Sequence, residues 1–169
     1  SISLKHLLLL SLHILCRGCP HGWSRIHRRC FLYVPRAMNW AAAERNCLSM
    51  GANLASVHTS AEHQLIQRLT AHNGYGVTWV GGTDASGEGI WLWSDGSRFN
   101  YQNWCGGEPN NYLKQDCLQI NYSSKCWDDQ HCHVNLPSIC ARKISRLTSQ
   151  LCFRPRVFNS STLIVLPKD

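Results

Sequence analysis

The chain has 169 residues, room for one domain with a hydrophobic core and too little for two full ones. Ten cysteines are too many for a reduced cytosolic protein of this size, so the compartment is oxidising. A net charge of +7 suggests a polyanion partner, yet Cys19 to Lys143 holds only two more basic than acidic residues, and no basic stripe with interleaved aromatics accompanies the excess, which excludes nucleic acid.

In chain order, residues 1–18 read as the remainder of a secretory signal: Lys5 precedes Leu7 to Leu10, Leu12, Ile14 and Leu15, and the small Gly18 follows, with no initiating Met. The apolar run is too short to cross a bilayer, so no membrane insertion is expected, and a truncated signal anchor is the alternative. Cys19, Pro20, His21, Gly22 and Trp23 open the compact region, and Cys30 to Val34 alternates as a strand does. Asn39 caps a helix over Trp40 to Met50 with Gly51 as its stop, and Ala43, Cys47 and Met50 share its inner face. Thr59 to Glu62 is a capping box opening a second helix, with Leu65, Ile66 and Leu69 on its buried side, which ends near His72 to Gly74.

Beyond it, Thr78 to Val80 and Trp91 to Trp93 are short strand-like runs. From Trp93 to Lys125 the chain reads mostly as loop, with one strand at Cys117 to Ile120, and so long a loop inside a compact domain is usually functional. Residues 144–169 show no periodic pattern and read as a poorly ordered tail.

The segment from Trp104 to Cys140 gathers oxygen-bearing side chains from three separated points: Glu108 and Asn110, Gln115 and Asp116, Asp128 and Asp129. Hard oxygen donors in that number are what Ca²⁺ requires. Each acid taken singly is ordinary loop polarity, and only the ordered set points to an ion. Trp79, Trp91, Trp93 and Trp127 read as core, whereas Trp104, beside the acids, is the better ligand candidate. His131 and His133 around Cys132 suggest zinc, but disulfide use explains the cysteines better. Asn121-Tyr122-Ser123 and Asn159-Ser160-Ser161 are glycosylation sequons.

Trp79-Val80-Gly81-Gly82, Trp91 to Gly96, Glu108-Pro109-Asn110, Trp127-Asp128-Asp129 and the cysteine order together resemble the C-type lectin-like domain, and within it the small secreted fish lectins and type II antifreeze proteins. The likeness runs from Cys19 to Arg142. It implies an α+β, disulfide-stapled fold over residues 19–143, with two helices packed on small antiparallel sheets and a long loop region. It also implies disulfides Cys19–Cys30, Cys47–Cys140 and Cys117–Cys132, and an additional Cys105–Cys126 similar to one in type II antifreeze proteins. Cys16 would leave with the signal, and Cys152 would then be free or available for pairing between chains.

In sugar-binding members of that family, two neighbouring sugar hydroxyls complete the coordination of the Ca²⁺. Each hydroxyl also needs an acceptor and a donor from the protein. Glu108 and Asn110 flank Pro109, whose peptide bond is cis in the family, and their order resembles the mannose-type selector, favouring mannose, fucose or N-acetylglucosamine ends. The chain departs from the family at Gln115, usually Glu, and at Asp128, usually Asn. These changes preserve the formal ligand charge, so Gln115 and Asp128 are expected to trade donor and acceptor roles. A loop one residue shorter than in mannose-binding prototypes leaves Asp116 as the alternative to Gln115.

The resemblance therefore implies a secreted Ca²⁺-dependent lectin; single sites of this kind bind weakly, so useful avidity would require several copies, as a homo-oligomer would supply. Its rivals are an ice-binding antifreeze protein on the same fold and a protein-binding domain that has abandoned both ligands. No Ser-His-Asp order with a supporting motif, phosphate-cradling glycine loop or helical His-Glu-x-x-His supports an enzyme.

Overall fold

The computed structural model describes residues 18–144, in which Cys19–Ile144 make a compact unit. The signal-like start, the expected tail, Cys16, Cys152 and the Asn159 sequon lie outside the described residues. In chain order come β1 (Ser24–Ile26), β2 (Arg29–Met38), α1 (Trp40–Ser49), β3 (Asn53–Leu54), α2 (Ser60–Thr70), β4 (Thr78–Thr83), β5 (Leu92–Trp93), β6 (Cys117–Tyr122), β7 (Cys126–Gln130) and β8 (Leu136–Lys143). The strands lie in the order β1-β2-β8-β4-β6-β7, with β3 beside β8 and β5 beside β4. β4 runs parallel to β8, and the other pairs are antiparallel.

Both helices start on side-chain caps. Asn39 Oδ1 accepts from the Ala42 N–H at 2.8 Å, and Thr59 Oγ1 accepts from the Glu62 N–H at 3.2 Å, each satisfying a donor the helix leaves unpaired. Gly51, at φ +68°, turns the chain out of α1. Glu62 does not reach back to Thr59 as a capping box requires. Its carboxylate takes the His58 N–H and the Arg29 guanidinium, both at 2.7 Å, tying α2 to β2.

Trp79 and Val80 are neighbours on β4 and therefore face opposite ways, into two separate core clusters. Val80 joins Phe31, Ile66, Leu118 and Trp127, while Trp79 joins Met38, Cys47, Leu54 and Cys140 and donates its indole N–H to the Met38 carbonyl at 3.0 Å. Gly81 and Gly82 follow because nothing larger fits: a Cβ on Gly81 would lie 2.7 Å from the Leu54 carbonyl oxygen, and one on Gly82 2.8 Å from Leu118. Disulfides join Cys19 to Cys30, Cys47 to Cys140, Cys105 to Cys126 and Cys117 to Cys132, the pairs that the resemblance implies.

The sequence reading assigns no strand at β1, β3 or β8, and two further segments differ from it. The strand read from Cys30 to Val34, β2, does not stop at Val34 but continues to Met38, with its register slipping between those two residues, where Pro35 has no N–H to give the ladder. Cys126–Gln130, read only as a source of loop ligands, is a strand whose pairing to β6 overrides the poor strand preference of two adjacent aspartates. The loop after Trp93 has no regular structure until β6, as the sequence reading expects, and aromatic packing holds it. Phe99 stacks on Trp93 at 4.7 Å, Trp104 meets Trp91 edge-on at 4.8 Å, and Tyr101 and Trp104 both meet Trp127.

Candidate functional site

β7 opens with Cys126 and Trp127, the latter fixed in the core, and Asp128 and Asp129, both buried, follow along the strand. Main-chain bonds from Trp127 to Asn103 and from Cys105 to Trp127, with the Cys105–Cys126 disulfide, lay the long loop alongside β7. The next turn carries Glu108, and the Glu108–Pro109 peptide is cis. The result is a group of three carboxylates, from Glu108, Asp128 and Asp129, each offering an oxygen within 4.8 Å of the others.

Asp129 is fully buried and organises the turn: its Oδ1 accepts the Asn110 N–H at 3.0 Å and its Oδ2 the Asn111 N–H at 2.6 Å. Asp128 is held by the Gln119 amide, which donates to Oδ2 at 2.6 Å across the β6–β7 pair. Burial, then the charges of Asp128 and Asp129, push the Glu108 carboxyl above its ordinary range, against a smaller pull from the Asn110 amide. Burial also pushes Asp128 up, with Gln119 opposing the shift and Asp129 adding to it. Glu108 Oε2 is buried without a hydrogen-bond partner, and the single ion pair among the described residues, Arg29 with Glu62, lies elsewhere.

Three hard oxygen donors, mutually repelling, with one buried oxygen unpartnered, are a donor set that fits a divalent cation of the calcium type. The other residues named from the sequence are placed differently. Asn110 adjoins the group through Glu108, but its Oδ1 accepts the Tyr112 N–H at 2.7 Å. The Gln115 amide donates to Gln130 Oε1 at 3.2 Å. Asp116 is outside the trio; its carbonyl takes the Thr83 hydroxyl and the Asp84 N–H, and its charge helps burial to raise Asp84. Trp104 is half-buried among Trp91, Phe99 and Trp127.

The Lectin C-type domain profile matches residues 36–142. The chain belongs to that family. This C-type lectin domain is 48% identical over 124 residues to ladderlectin of Oncorhynchus mykiss, a match covering 71% of the chain and 65% of ladderlectin, just under two thirds. It is 39% identical over 132 residues to the galactose-specific lectin nattectin of Thalassophryne nattereri, covering 75% of the chain and 82% of nattectin. Among solved structures it is similar to herring type II antifreeze protein, with a TM-score of 0.71 and 37% identity over 74% of this chain and 98% of that one.

Two features of the site escaped the sequence reading of this lectin domain. Gln119 sits two residues after Cys117 in an ordinary strand, and only the strand pairing shows that it meets Asp128. Tyr112 and Leu113, 67% and 70% exposed, follow Glu108 in the long loop, with Tyr112 fixed through its N–H to Asn110. An aromatic and a leucine immediately after Glu-Pro-Asn-Asn were the available signal.

Proposed function

We propose that the chain is a secreted Ca²⁺-dependent lectin, a binding protein and not an enzyme. The observation that carries this is the Glu108, Asp128 and Asp129 group with the buried, unpartnered Glu108 Oε2. Those three would hold the ion, which when bound supplies open coordination positions for two vicinal sugar hydroxyls. Around them, Asn110 presents an amide, Gln119 keeps Asp128 in place, and Asp129 holds the turn through two main-chain N–H groups.

The Glu108-Pro109-Asn110 order supports mannose-type ends, whereas nattectin's name points to galactose, so both sugars belong in the test. Asp128 supplies an acceptor where the family's Asn supplies a donor. Gln115 completes the exchange of roles only by giving up its bond to Gln130, and Gln115→Glu should then disturb sugar discrimination. Retention on a mannose column, with elution by free mannose and by chelator, is the expected result. Retention on galactose alone would overturn the selector assignment, and retention on neither would overturn the lectin reading.

The Cys105–Cys126 disulfide and the likeness to herring antifreeze protein support a second reading, ice binding. Hexagonal shaping of growing ice without retention on either sugar would establish it in place of the first.

A further inference from the structure

The edge of the sheet farthest from the carboxylates in strand order has the opposite charge. β1, β2 and β8, with the turns that join or follow them, hold Arg25, Arg28, Arg29, Arg36, Arg142 and Lys143 and not one Asp or Glu. Glu62 of α2 reaches this edge and is used up by Arg29, the single ion pair among the described residues. Arg25, Arg28 and Lys143 are exposed and Arg142 is half-buried.

The pairing brings Arg25, Arg29, Arg142 and Lys143 to one end of these strands, with Arg36 toward the other end of β2. Ile26 lies opposite Arg29 and Arg29 opposite Lys143, while the next row sets Cys30 between Arg25 and Arg142, so Arg25 and Arg142 share one face about 10 Å apart and Arg29 and Lys143 share the other at the same end of the strands. The Ile144 N–H bonds to the Arg28 carbonyl at 2.8 Å, which brings the β1–β2 turn against the end of β8. Nor do the two flanks carry neutralising charge: residues 1–18 and 145–169 add Lys5, Arg17, Arg146, Arg154, Arg156 and Lys168 against Asp169 alone.

We propose that this edge binds a polyanionic glycan, a polysaccharide bearing clustered sulfate or phosphate groups, independently of the carboxylate site and of Ca²⁺. Guanidinium groups suit such oxyanions because their fork of donors matches two oxygens at once. A glycan fits better than an anionic membrane because none of the large exposed apolar side chains of the described residues lies on β1, β2 or β8. It fits better than nucleic acid because the aromatics of these strands, Phe31 and Tyr33, are buried or half-buried and offer no stacking surface.

The test is binding of the full chain to immobilised heparin in chelator, as a function of salt, with vesicles rich in phosphatidylserine as a second probe. Wild type should bind heparin, the triple variant Arg25→Ser, Arg28→Ser, Lys143→Ser should lose at least about tenfold in affinity with a shallower salt dependence, and Arg68→Ser, Arg98→Ser, Lys114→Ser should not. Circular dichroism and a Ca²⁺ titration of each variant separate lost binding from lost folding and from the lectin site. Equal loss in the two triple variants, no heparin binding by wild type, or binding to vesicles in place of heparin would overturn the proposal.

Discussion

Gln119 and Asp128 lie opposite each other on β6 and β7, both buried, and the Gln119 amide donates to Asp128 Oδ2 at 2.6 Å. A partner of this kind fixes the orientation of a metal-binding carboxylate, and losing one commonly costs ten- to a hundredfold in metal affinity. Gln119→Met, which keeps the volume and removes the amide, should therefore weaken Ca²⁺ binding by about tenfold or more. Calorimetric titration measures it, and an unchanged affinity would show that Asp128 needs no such support.

Glu108→Gln should separate binding from stability. The raised Glu108 pKa means that its ionised form is disfavoured in the folded protein, so this carboxyl favours folding when protonated and that contribution is lost as pH rises through its folded value. At neutral pH in chelator the Gln variant should melt no lower than wild type. With Ca²⁺ added, wild type should gain stability and the variant should not. A variant that melts lower in chelator would show that Glu108 is a structural support.

His63 gives the pH dependence a second source. Its Nδ1 accepts the Trp127 indole N–H at 3.1 Å, and its Nε2 faces the Lys125 carbonyl, Gln67 and Asn103, with no charged side chain among these bonded partners. Burial lowers its pKa, opposed by the Lys125 carbonyl. The unfolded chain thus takes up the proton first, and stability present above the unfolded value of about 6.5 is lost as pH falls through it towards the folded one. Chemical denaturation between about pH 7.5 and pH 5 should show this slope in wild type and not in His63→Gln. Parallel profiles would assign the slope to other groups.

The two longest-range consequences of the cysteines differ in size. Cys47–Cys140 spans 93 residues and Cys105–Cys126 spans 21. In the chain-entropy model these contribute about 4.7 and about 3.3 kcal/mol. Replacing Cys105 and Cys126 by Ser should therefore leave a folded domain, while the same change at Cys47 and Cys140 should cost more. Denaturant melts of both double variants test the order, and its reversal would place the larger constraint in the long loop.

The Asn121 sequon should carry no glycan in the folded protein. Asn121 is buried, and its Nδ2, the atom that would bear the sugar, donates to Thr70 Oγ1 at 2.8 Å and to the Gly76 carbonyl at 3.3 Å. Peptide mapping of secreted protein should find it unmodified; occupancy in folded material would contradict this placement.

Much of the scaffold was legible because its signals are local. Asn39 and Thr59 cap the helices they precede, Leu65 and Ile66 mark an inner face, and Trp79, Trp93 and Trp127 are too large to leave outside a core. What was not legible depends on partners far along the chain. Asp128-Asp129 has the polarity of a loop, and only pairing with Leu118 and Gln119 makes it a strand. The same non-local pairing draws Gln119 into the site, while Gln130 and Tyr112 engage Gln115 and Asn110. The spacing of the six oxygen-bearing residues suggested one set. The turn held by Asp129 gathers Glu108, Asp128 and Asp129 and leaves the others around them.

Titration of Ca²⁺ into the chelator-treated full chain bears most directly on the central claim, with Glu108→Gln run beside it. Wild type should show a single saturable transition in or below the roughly 0.1–1 mM range of extracellular calcium modules, and the variant none. No heat up to about 10 mM Ca²⁺, ten times the upper end of that range, or equal binding by the variant, would contradict the account.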